Sequence, residues 1–592
     1  MDLRQLWEDV RELPTFIGMG RALRRAAPDG RETLGVLVRE QAQRIPDRVL
    51  LRFETEMVTY GEFNAFVNAF AAVFRQAGVT RGEPVALIME NSPALLAAQA
   101  AAAKVGAVAA LINTHLSGPP LSHVLLASKA RHVFVDPACL PNVVALRECA
   151  GLTVWGQGDP ANLAPHVEPL DAALGAADRR EPPAADVRGR DVFLYIYTSG
   201  TTGYPKPAIV RHSRYTMAGI GLAGLLGIGA GDVMYAPLPL YHGESNFVGF
   251  SVAVRVGGTF ASRRRFSAGE FLADVRRYGA TAFVYVGELC RYLLRQPPTA
   301  HDRDHQLRLA VGAGLRSDIW PRFQQRFGIA RIVEMYGATE GNVSLMNRRG
   351  VVGSVGRAHP FQHRQVRLAR FDVARGELVR GADGFLVACG IDEPGELLGR
   401  IAARGPMPYD GYVDARATEA RVVRNAFRRG DAYFRSGDLL RRDCNGYYYF
   451  ADRIGDTFRW KGENVSTQEV ALTLNAAPGV SETNVYGVAV PGADGRAGMA
   501  AVVLEAGATF DPGSFYGCAE RLPPYARPLF VRVVDVMDVT GTLKQRKLEL
   551  QRQGFAPGVD GRAVYVRDDS RHTYVPLTAE LDARIRVGTL RL

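Results

Sequence analysis

The stretch Tyr197-Thr198-Ser199-Gly200-Thr201-Thr202-Gly203-Tyr204-Pro205-Lys206-Pro207 decides how the chain is read. It follows Val192-Phe193-Leu194-Tyr195-Ile196, an apolar, β-branched and aromatic run that predicts a buried strand. The loop therefore leaves the carboxyl end of a strand, where ligands of α/β sheets collect. The hydroxyls of Thr198, Ser199, Thr201 and Thr202, the permissive backbone of Gly200 and Gly203 and the ammonium of Lys206 together suit a polyphosphate. A nucleoside triphosphate is the predicted ligand. No Gly-Lys-Ser/Thr follows the first glycine at the Walker interval, so the cradle is of another kind. The competing reading, a flexible Ser/Thr/Gly turn, does not account for a strand before the loop and a Lys after it.

Outward from that loop, 592 residues exceed what a single core sustains and predict two to four domains. With 47% hydrophobic and 22% charged residues, the composition is that of a globular protein rather than a disordered or fibrous one. Cys139, Cys149, Cys290, Cys389, Cys444 and Cys518 lack metal-ligand or redox spacing, which fits a reducing, cytoplasmic setting. Asp2, Arg4, Glu8 and Asp9 leave no apolar signal core at the start. The Ala-rich stretch from Leu95 to Asn113 is interrupted by Gln99 and Lys104, which argues against a transmembrane span but leaves peripheral membrane contact open. Leu23-Arg24-Arg25-Ala26-Ala27 reads as a solvated N-terminal helix or an amphipathic arm. The net charge of +11 suits nucleotide or coenzyme phosphates or an anionic lipid surface. No basic run is interleaved with aromatics as in a nucleic-acid groove, so nucleic acid is not an expected partner. Of 72 basic residues only Lys104, Lys129, Lys206, Lys461, Lys544 and Lys547 are Lys. In so Arg-rich a chain, a Lys marks a place where a compact ammonium is wanted.

The fold class expected is α/β, with a large N-terminal domain of mostly parallel sheets flanked by helices and a small α+β C-terminal domain. Strand-and-helix alternation through Pro84–Met89, Ala107–Asn113 and His132–Val135 carries the first part. Leu238–His242 and Ala282–Glu288 then bring Tyr241, His242 and Gly287 to the same sheet edge, as a substrate pocket. His242 in such a place reads equally as a satisfied structural histidine. Ile332–Asn342 repeats the strand-to-loop pattern, and Glu340 beside a hydroxyl suits Mg²⁺ on the phosphates, or a cap on the next element. Asp438, after the turn in Tyr433-Phe434-Arg435-Ser436-Gly437-Asp438, can accept both hydroxyls of a ribose, or cap the turn. Ser466-Thr467-Gln468-Glu469 predicts a capping box, and the strands and helix beyond it form a compact unit entered at Gly455, the predicted hinge. The expected domains are therefore 1–454 and 455–592. Val539–Lys544 places an ammonium past a tight turn, on a loop able to reach the large domain or on a solvated hairpin tip.

Taken together, YTSGTTGYPK, YGATEG, YFRSGD, DRIGDTFRWKGENVST and TGTLK resemble the adenylate-forming enzymes: acyl-CoA synthetases, luciferases and peptide-synthetase adenylation domains. TFRWKGENVST, GELCRYLL, GLRSDIW and Tyr574–Thr578 are similar to the fatty acid transport protein and very-long-chain acyl-CoA synthetase branch. The likeness runs from Glu32 to the C-terminus. It implies a two-step reaction in which carboxylate and ATP give an acyl adenylate, and coenzyme A then displaces AMP to form a thioester.

By this resemblance Lys544 bridges carboxylate and phosphate, Asp438 and Arg453 hold the ribose, and Thr339 and Glu340 contact phosphate and Mg²⁺. Tyr336 stacks on adenine, and Gly312, Ala313 and Gly314 line the nucleotide and acyl sites with bare backbone. Lys461 and Gly462 face the pantetheine tunnel after the small domain rotates about Gly455, with Asp456 sharing the hinge role. Two positions depart from the pattern: Gly455 stands where many relatives carry Asp or Lys, and Pro207 replaces a small residue after Lys206. The membrane anchor of animal members is not found, which disfavours a role in transport alone. The implied activity is an acyl-CoA ligase for a long or very long fatty acid or a bulky acid such as a steroid side chain. Its rivals are an adenylation enzyme serving a carrier protein and a non-catalytic lipid-binding or import protein. The oligomeric state is open, with a homodimer compatible.

Overall fold

The computed structural model describes residues 20, 22–146, 151–198, 204–358, 365–373, 375–402, 409–461, 463–491, 493, 495–539, 545, 547–557, 562–587 and 589. Ser199, Gly200, Thr201, Thr202, Gly203, Gly462 and Lys544 lie outside the described residues. The chain divides into two compact units, one of residues 1–365 and 400–422 and one of residues 366–399 and 423–592.

The first unit is built on two sheets. In the seven-stranded sheet the order is Val167–Pro169, Thr153–Gly156, His132–Val135, Pro84–Ile88, Val108–Leu111, Val192–Thr198 and Lys206–Arg211. All neighbours are parallel except the last pair, an antiparallel hairpin that puts Thr198 opposite Lys206. The strand expected from Val192 to Ile196 is thus present, and it delivers the phosphate loop at its carboxyl end. Val85–Ile88, Val108–Leu111 and His132–Val135 are buried along their whole length, which is why they read as continuous apolar runs rather than alternating ones.

The nine-stranded sheet keeps Arg331–Gly337, Leu309–Ala313, Ala282–Val286, Val233–Tyr235, Thr259–Ser262 and Val49–Phe53 parallel, with antiparallel strands at both edges. Helices start where the sequence supplies caps. Thr59 and Glu62 form a reciprocal capping box at the head of Tyr60–Gln76, a contact on the order of 1 kcal/mol. The Ala-rich segment forms the helix Pro93–Val105, capped by Ser92 and ended by Gly106 at φ +81°. Its 13 residues are too few to cross a bilayer, and small side chains let it bury on nearly every side. Among the described residues no helix is long and apolar enough to cross a membrane.

In the second unit Val366–Ala369 pairs antiparallel with Gly395–Arg400, and Ala432–Arg442 with Tyr448–Arg453. A further five-stranded sheet runs in the order Val480–Val488, Ala497–Leu504, Phe530–Val533, Val564–Asp568 and Thr573–Pro576. That sheet has a core of its own, drawn from residues between Phe458 and Ile585. Ser466 caps Thr467–Leu474 by accepting the Glu469 N–H, one of the two bonds of the expected capping box. The division by compactness falls elsewhere than 454/455, because the sheet ending at Arg453 groups with the C-terminal sheet.

Candidate active site

The hairpin Val192–Thr198/Lys206–Arg211 is extended at its open edge by the segment from Tyr409 to Val413. Ile209 N donates to Gly411 O at 2.9 Å, and Val413 N donates to Pro207 O at 3.0 Å. Pro207 is accommodated because the contact uses its carbonyl and asks for no N–H. Ala208 and Tyr412 face each other in this ladder, which carries the Tyr412 ring to the 338–340 loop. There the phenol donates to Glu340 Oε1 at 3.1 Å. Burial pushes the Tyr412 hydroxyl up to about 12, with the Glu340 charge adding to the shift. The Thr198 hydroxyl is buried close to Tyr412 but outside hydrogen-bonding geometry. Thr198 thus lies near the Tyr412–Glu340 pair, with Lys206 opposite Thr198 on the hairpin.

Sequence reasoning missed the residues that hold this arrangement. Arg214, on the helix His212–Leu226, donates from Nη2 to Ala338 O at 2.9 Å and so fixes the loop carrying Thr339 and Glu340. It lies in the fields of Asp410 and Glu340, and burial lowers its pKa. Its Nη1 is buried with no hydrogen-bond partner among the described residues. Asp410 in turn accepts from Arg211 Nε at 2.5 Å. Gly243 adjoins the same loop: a Cβ built there would stand 3.8 Å from Thr339 Oγ1.

Gly312, Ala313 and Gly314 end the strand Leu309–Ala313, and they are placed by close backbone approaches. A Cβ at Gly312 would stand 2.0 Å from Tyr285 O, and one at Gly287 only 1.8 Å from Gly314 O. Gly314 has φ +83°, a conformation that favours glycine. Gly287, expected in the substrate pocket, also packs closely against the 312–314 backbone. Beneath this backbone lies the second missed residue. Glu334 accepts the N–H groups of Gly314 and Leu315, and Tyr285 donates its hydroxyl to Glu334 Oε2 at 2.6 Å. Its burial raises the carboxyl to about 8. A lone acid inside Ile332-Val333-Glu334-Met335 was the available signal.

Tyr241 is buried, with its ring 4.5 Å from that of His242. Their loop is held on both sides: Asn91 accepts the Leu240 N–H at 2.8 Å, and Asn246 donates to Leu240 O at 2.9 Å. Asn246 begins no ordinary helix; it sits in the π-helical turn Glu244–Phe250 and exchanges amide bonds with the fully buried Gln99 at 2.7 and 2.9 Å. Such turns concentrate at functional sites.

In the second unit Asp438 and Arg453 are cross-strand neighbours, with Arg453 Nε donating to Asp438 Oδ1 at 3.1 Å. The preceding Gly437, at φ +76°, donates its N–H to Glu396, which also binds Arg435 at 2.8 Å. Gly455 has φ +97°, so the hinge candidate occupies a conformation that a side chain would strain. Lys461, at φ +50°, holds its ammonium 5.9 Å from the centre of the Trp460 ring.

A hydroxyl- and lysine-bearing hairpin beside the loop of Glu340, on parallel sheets, suits an enzyme that binds a nucleotide, and the comparisons place the chain in such a class. Residues 38–413 match the family of AMP-binding enzymes, to which the chain belongs. It is 40% identical to long-chain fatty acid transport protein 1 of Mus musculus over 99% of this chain and 92% of the relative. It is 39% identical to the medium/long-chain-fatty-acid–CoA ligase FadD6 of Mycobacterium tuberculosis over 95% and 92%, respectively. The fold is that of the anthranilate CoA ligase AuaEII, at TM-score 0.75 and 21% identity, covering 88% of this chain and 97% of that one.

Proposed function

We propose that the chain is an acyl-CoA ligase that activates a long- or very-long-chain fatty acid, or a similarly bulky carboxylic acid. The observation that carries this reading is the meeting of Thr198, Lys206, Tyr412 and Glu340 at one edge. The likeness to a medium/long-chain fatty acid ligase over 95% of the chain supports the substrate class.

In the proposed reaction a carboxylate oxygen attacks the α-phosphorus of ATP and pyrophosphate leaves. The thiolate of coenzyme A then attacks the acyl carbonyl, forming the thioester as AMP leaves. Lys206 and the amides of the 199–203 loop bind the β- and γ-phosphates. Asp438 accepts the ribose hydroxyls, oriented by Arg453. Lys544 neutralises the carboxylate and α-phosphate as charge builds on them, work for which preorganised cations are suited. Tyr336 stacks on adenine, and the bare backbone of 312–314 admits nucleotide and acyl group without side-chain intrusion. Segment 455–592 pivots at Gly455 to exchange Lys544 for Lys461 and Gly462, so that one site serves two steps.

Hard oxygen donors suit Mg²⁺, and Glu340, with one oxygen on Tyr412, together with the hydroxyls of Thr339 and Thr198, is a donor set of that kind. Bound there, Mg²⁺ would supply positive charge to the phosphate oxygens.

The test is a panel of carboxylic acids screened for pyrophosphate release with and without coenzyme A. Acid-dependent release with long-chain selectivity, and thioester only when coenzyme A is present, is the expected result. No release with any acid refutes the reading, and transfer to a phosphopantetheinylated carrier but not to coenzyme A reassigns the acceptor. Lys544→Ala should lower adenylation at least about 10²-fold while sparing thioester formation from supplied acyl adenylate. Equal loss of both steps removes Lys544 from the assigned role.

A further inference from the structure

A polar knot to which the proposed reaction gives no task is buried behind the loop that carries Tyr241 and His242. At its centre the Asn246 amide has all four of its hydrogen-bonding positions filled. Its Nδ2 donates to Gln99 Oε1 at 2.7 Å and to Leu240 O at 2.9 Å, and its Oδ1 accepts from Gln99 Nε2 and from the Tyr215 hydroxyl, each at 2.9 Å. Gln99, Asn246 and Tyr215 are all buried. Asn91 closes the other side: its Oδ1 accepts the Leu240 N–H at 2.8 Å, and its Nδ2 donates to Leu238 O at 3.0 Å. Leu240 is thus held at both its N–H and its carbonyl by buried amide side chains.

The knot joins the two sheets of the first unit. Asn91 and Gln99 follow the strand Pro84–Ile88, and Tyr215 lies on the helix after Lys206–Arg211, so all three hang from the seven-stranded sheet that also carries Thr198 and Lys206. Leu240 and Asn246 lie between Val233–Tyr235 and Thr259–Ser262, on the nine-stranded sheet. The π-helical turn Glu244–Phe250 sets the direction of Asn246, because its extra residue rotates what precedes it by about 100° relative to an α-helix running on into Ser251–Val256. Apolar side chains of the same shape can fill such a space with little loss of stability. Satisfied amides in an apolar interior therefore specify position more than strength.

We propose that Gln99 and Asn246 are positioning residues for the acid. Through the Leu240 carbonyl they set the Tyr241–Gly243 loop, on one sheet, against the phosphate hairpin on the other, and so select the length of the acyl group. Gly243 ends that loop beside Thr339, so a shift at Leu240 moves the surface next to the reacting groups. This rests on the acyl-CoA ligase reading above and places its substrate selectivity behind the pocket rather than in the pocket lining alone.

The experiment follows pyrophosphate release with hexadecanoate and with octanoate in wild type, Gln99→Leu, Asn246→Leu, the double leucine variant and Tyr215→Phe. In the leucine variants KM for hexadecanoate should rise at least about 10-fold, while KM for ATP stays within about twofold of wild type. The preference between the two acids should change with it, and the double variant should go no further than the worse single one, because both side chains act through one contact. An unchanged KM for hexadecanoate or an unchanged preference overturns the proposal, as does an equal rise in KM for ATP, which marks a general loosening. Should the leucine variants not fold, Tyr215→Phe decides alone: it deletes one hydroxyl and keeps the ring. A rise in KM for hexadecanoate of at least about threefold then supports the proposal, and a smaller one overturns it. Binding of hexadecanoate without ATP is read on the same proteins by displacement of a fluorescent fatty acid. Should wild type bind hexadecanoate but release no pyrophosphate, the reaction reading fails, and these dissociation constants alone support or overturn the role of the pair. Should wild type not bind it, both fall.

Discussion

Gly287→Ala is the sharpest perturbation of the site, because the substitution adds a single methyl at a point where two backbones nearly touch. The new Cβ would stand 1.8 Å from Gly314 O and 2.4 Å from Gly314 C. A carbon and a carbonyl oxygen tolerate an approach of about 3.3 Å, so the two segments must part by about 1.5 Å. The strand Ala282–Val286 is held in register against Leu309–Ala313, so the displacement falls on the 312–314 turn and on its hydrogen bonds to Glu334. Misplacement of about 1 Å can cost 10²-fold in rate, whereas overpacking of this kind costs about 1–3 kcal/mol of stability. The assay is kcat/KM for acid-dependent pyrophosphate release beside a thermal melt. A fall of about 10²-fold or more with a fold that still melts cooperatively is expected. Gly221→Ala is the matched control: it lies in the helix His212–Leu226, nothing stands within 4 Å of its Cβ, and alanine there should gain about 0.5–1 kcal/mol with activity unchanged. Near-wild-type activity in Gly287→Ala would refute the claim that the 312–314 backbone is placed by this contact.

Two further substitutions test the residues that hold the site. Glu334 has its pKa raised by burial from 4.5 to about 8, and the groups facing it, Tyr285 and Cys290, are themselves pushed up by burial. The folded state therefore keeps a proton that the unfolded chain releases, so stability is full below pH 4.5 and falls as pH rises toward about 8. Glu334→Gln, which preserves the acceptor for Gly314, should flatten that fall, worth about 1.4 kcal/mol per pH unit, in urea midpoints compared at pH 5.5 and 7.5; parallel pH profiles for the two proteins would contradict it. Arg214→Met frees Ala338 O and removes the cation between Asp410 and Glu340, and should lower kcat/KM by about 10- to 100-fold. Arg214→Lys keeps the charge without the planar fork and should recover only part of the loss, and full activity in either variant would show that the 338–340 loop does not depend on it.

What could be read in advance was whatever the chain writes locally. Val192–Thr198 and His132–Val135 are apolar β-branched runs, and Ser466 is followed by Glu469 at capping distance. The roles of Glu334, Arg214 and Tyr412 are written only in three dimensions. Tyr412 meets Glu340 across 72 positions, Arg214 reaches Ala338 across 124, and Glu334 turns back to Gly314 across 20. Arg214 was further hidden by being one arginine in a chain that uses them almost everywhere. Gly287 was legible as a sheet-edge residue, but its close approach to the Gly314 carbonyl is not written in the sequence.

The placement of the domain boundary follows from the same distinction. A hinge is a local property, and the proposed one at Gly455 stands at φ +97° after a strand and before a capped helix. A compact unit is a property of contacts, and Thr467 with Asp452 and Ser466 with Ala451 make theirs across that glycine. The proposed pivot at 455 is therefore compatible with a unit that coheres across it at rest. That cohesion rests on a small polar cluster rather than on apolar burial, and a cluster of this kind can be exchanged for another set of partners without unmaking either core. An apolar seam at the same place would have made the hinge expensive to open, because its buried surface would have to be exposed to water each time the enzyme passed from one step to the next.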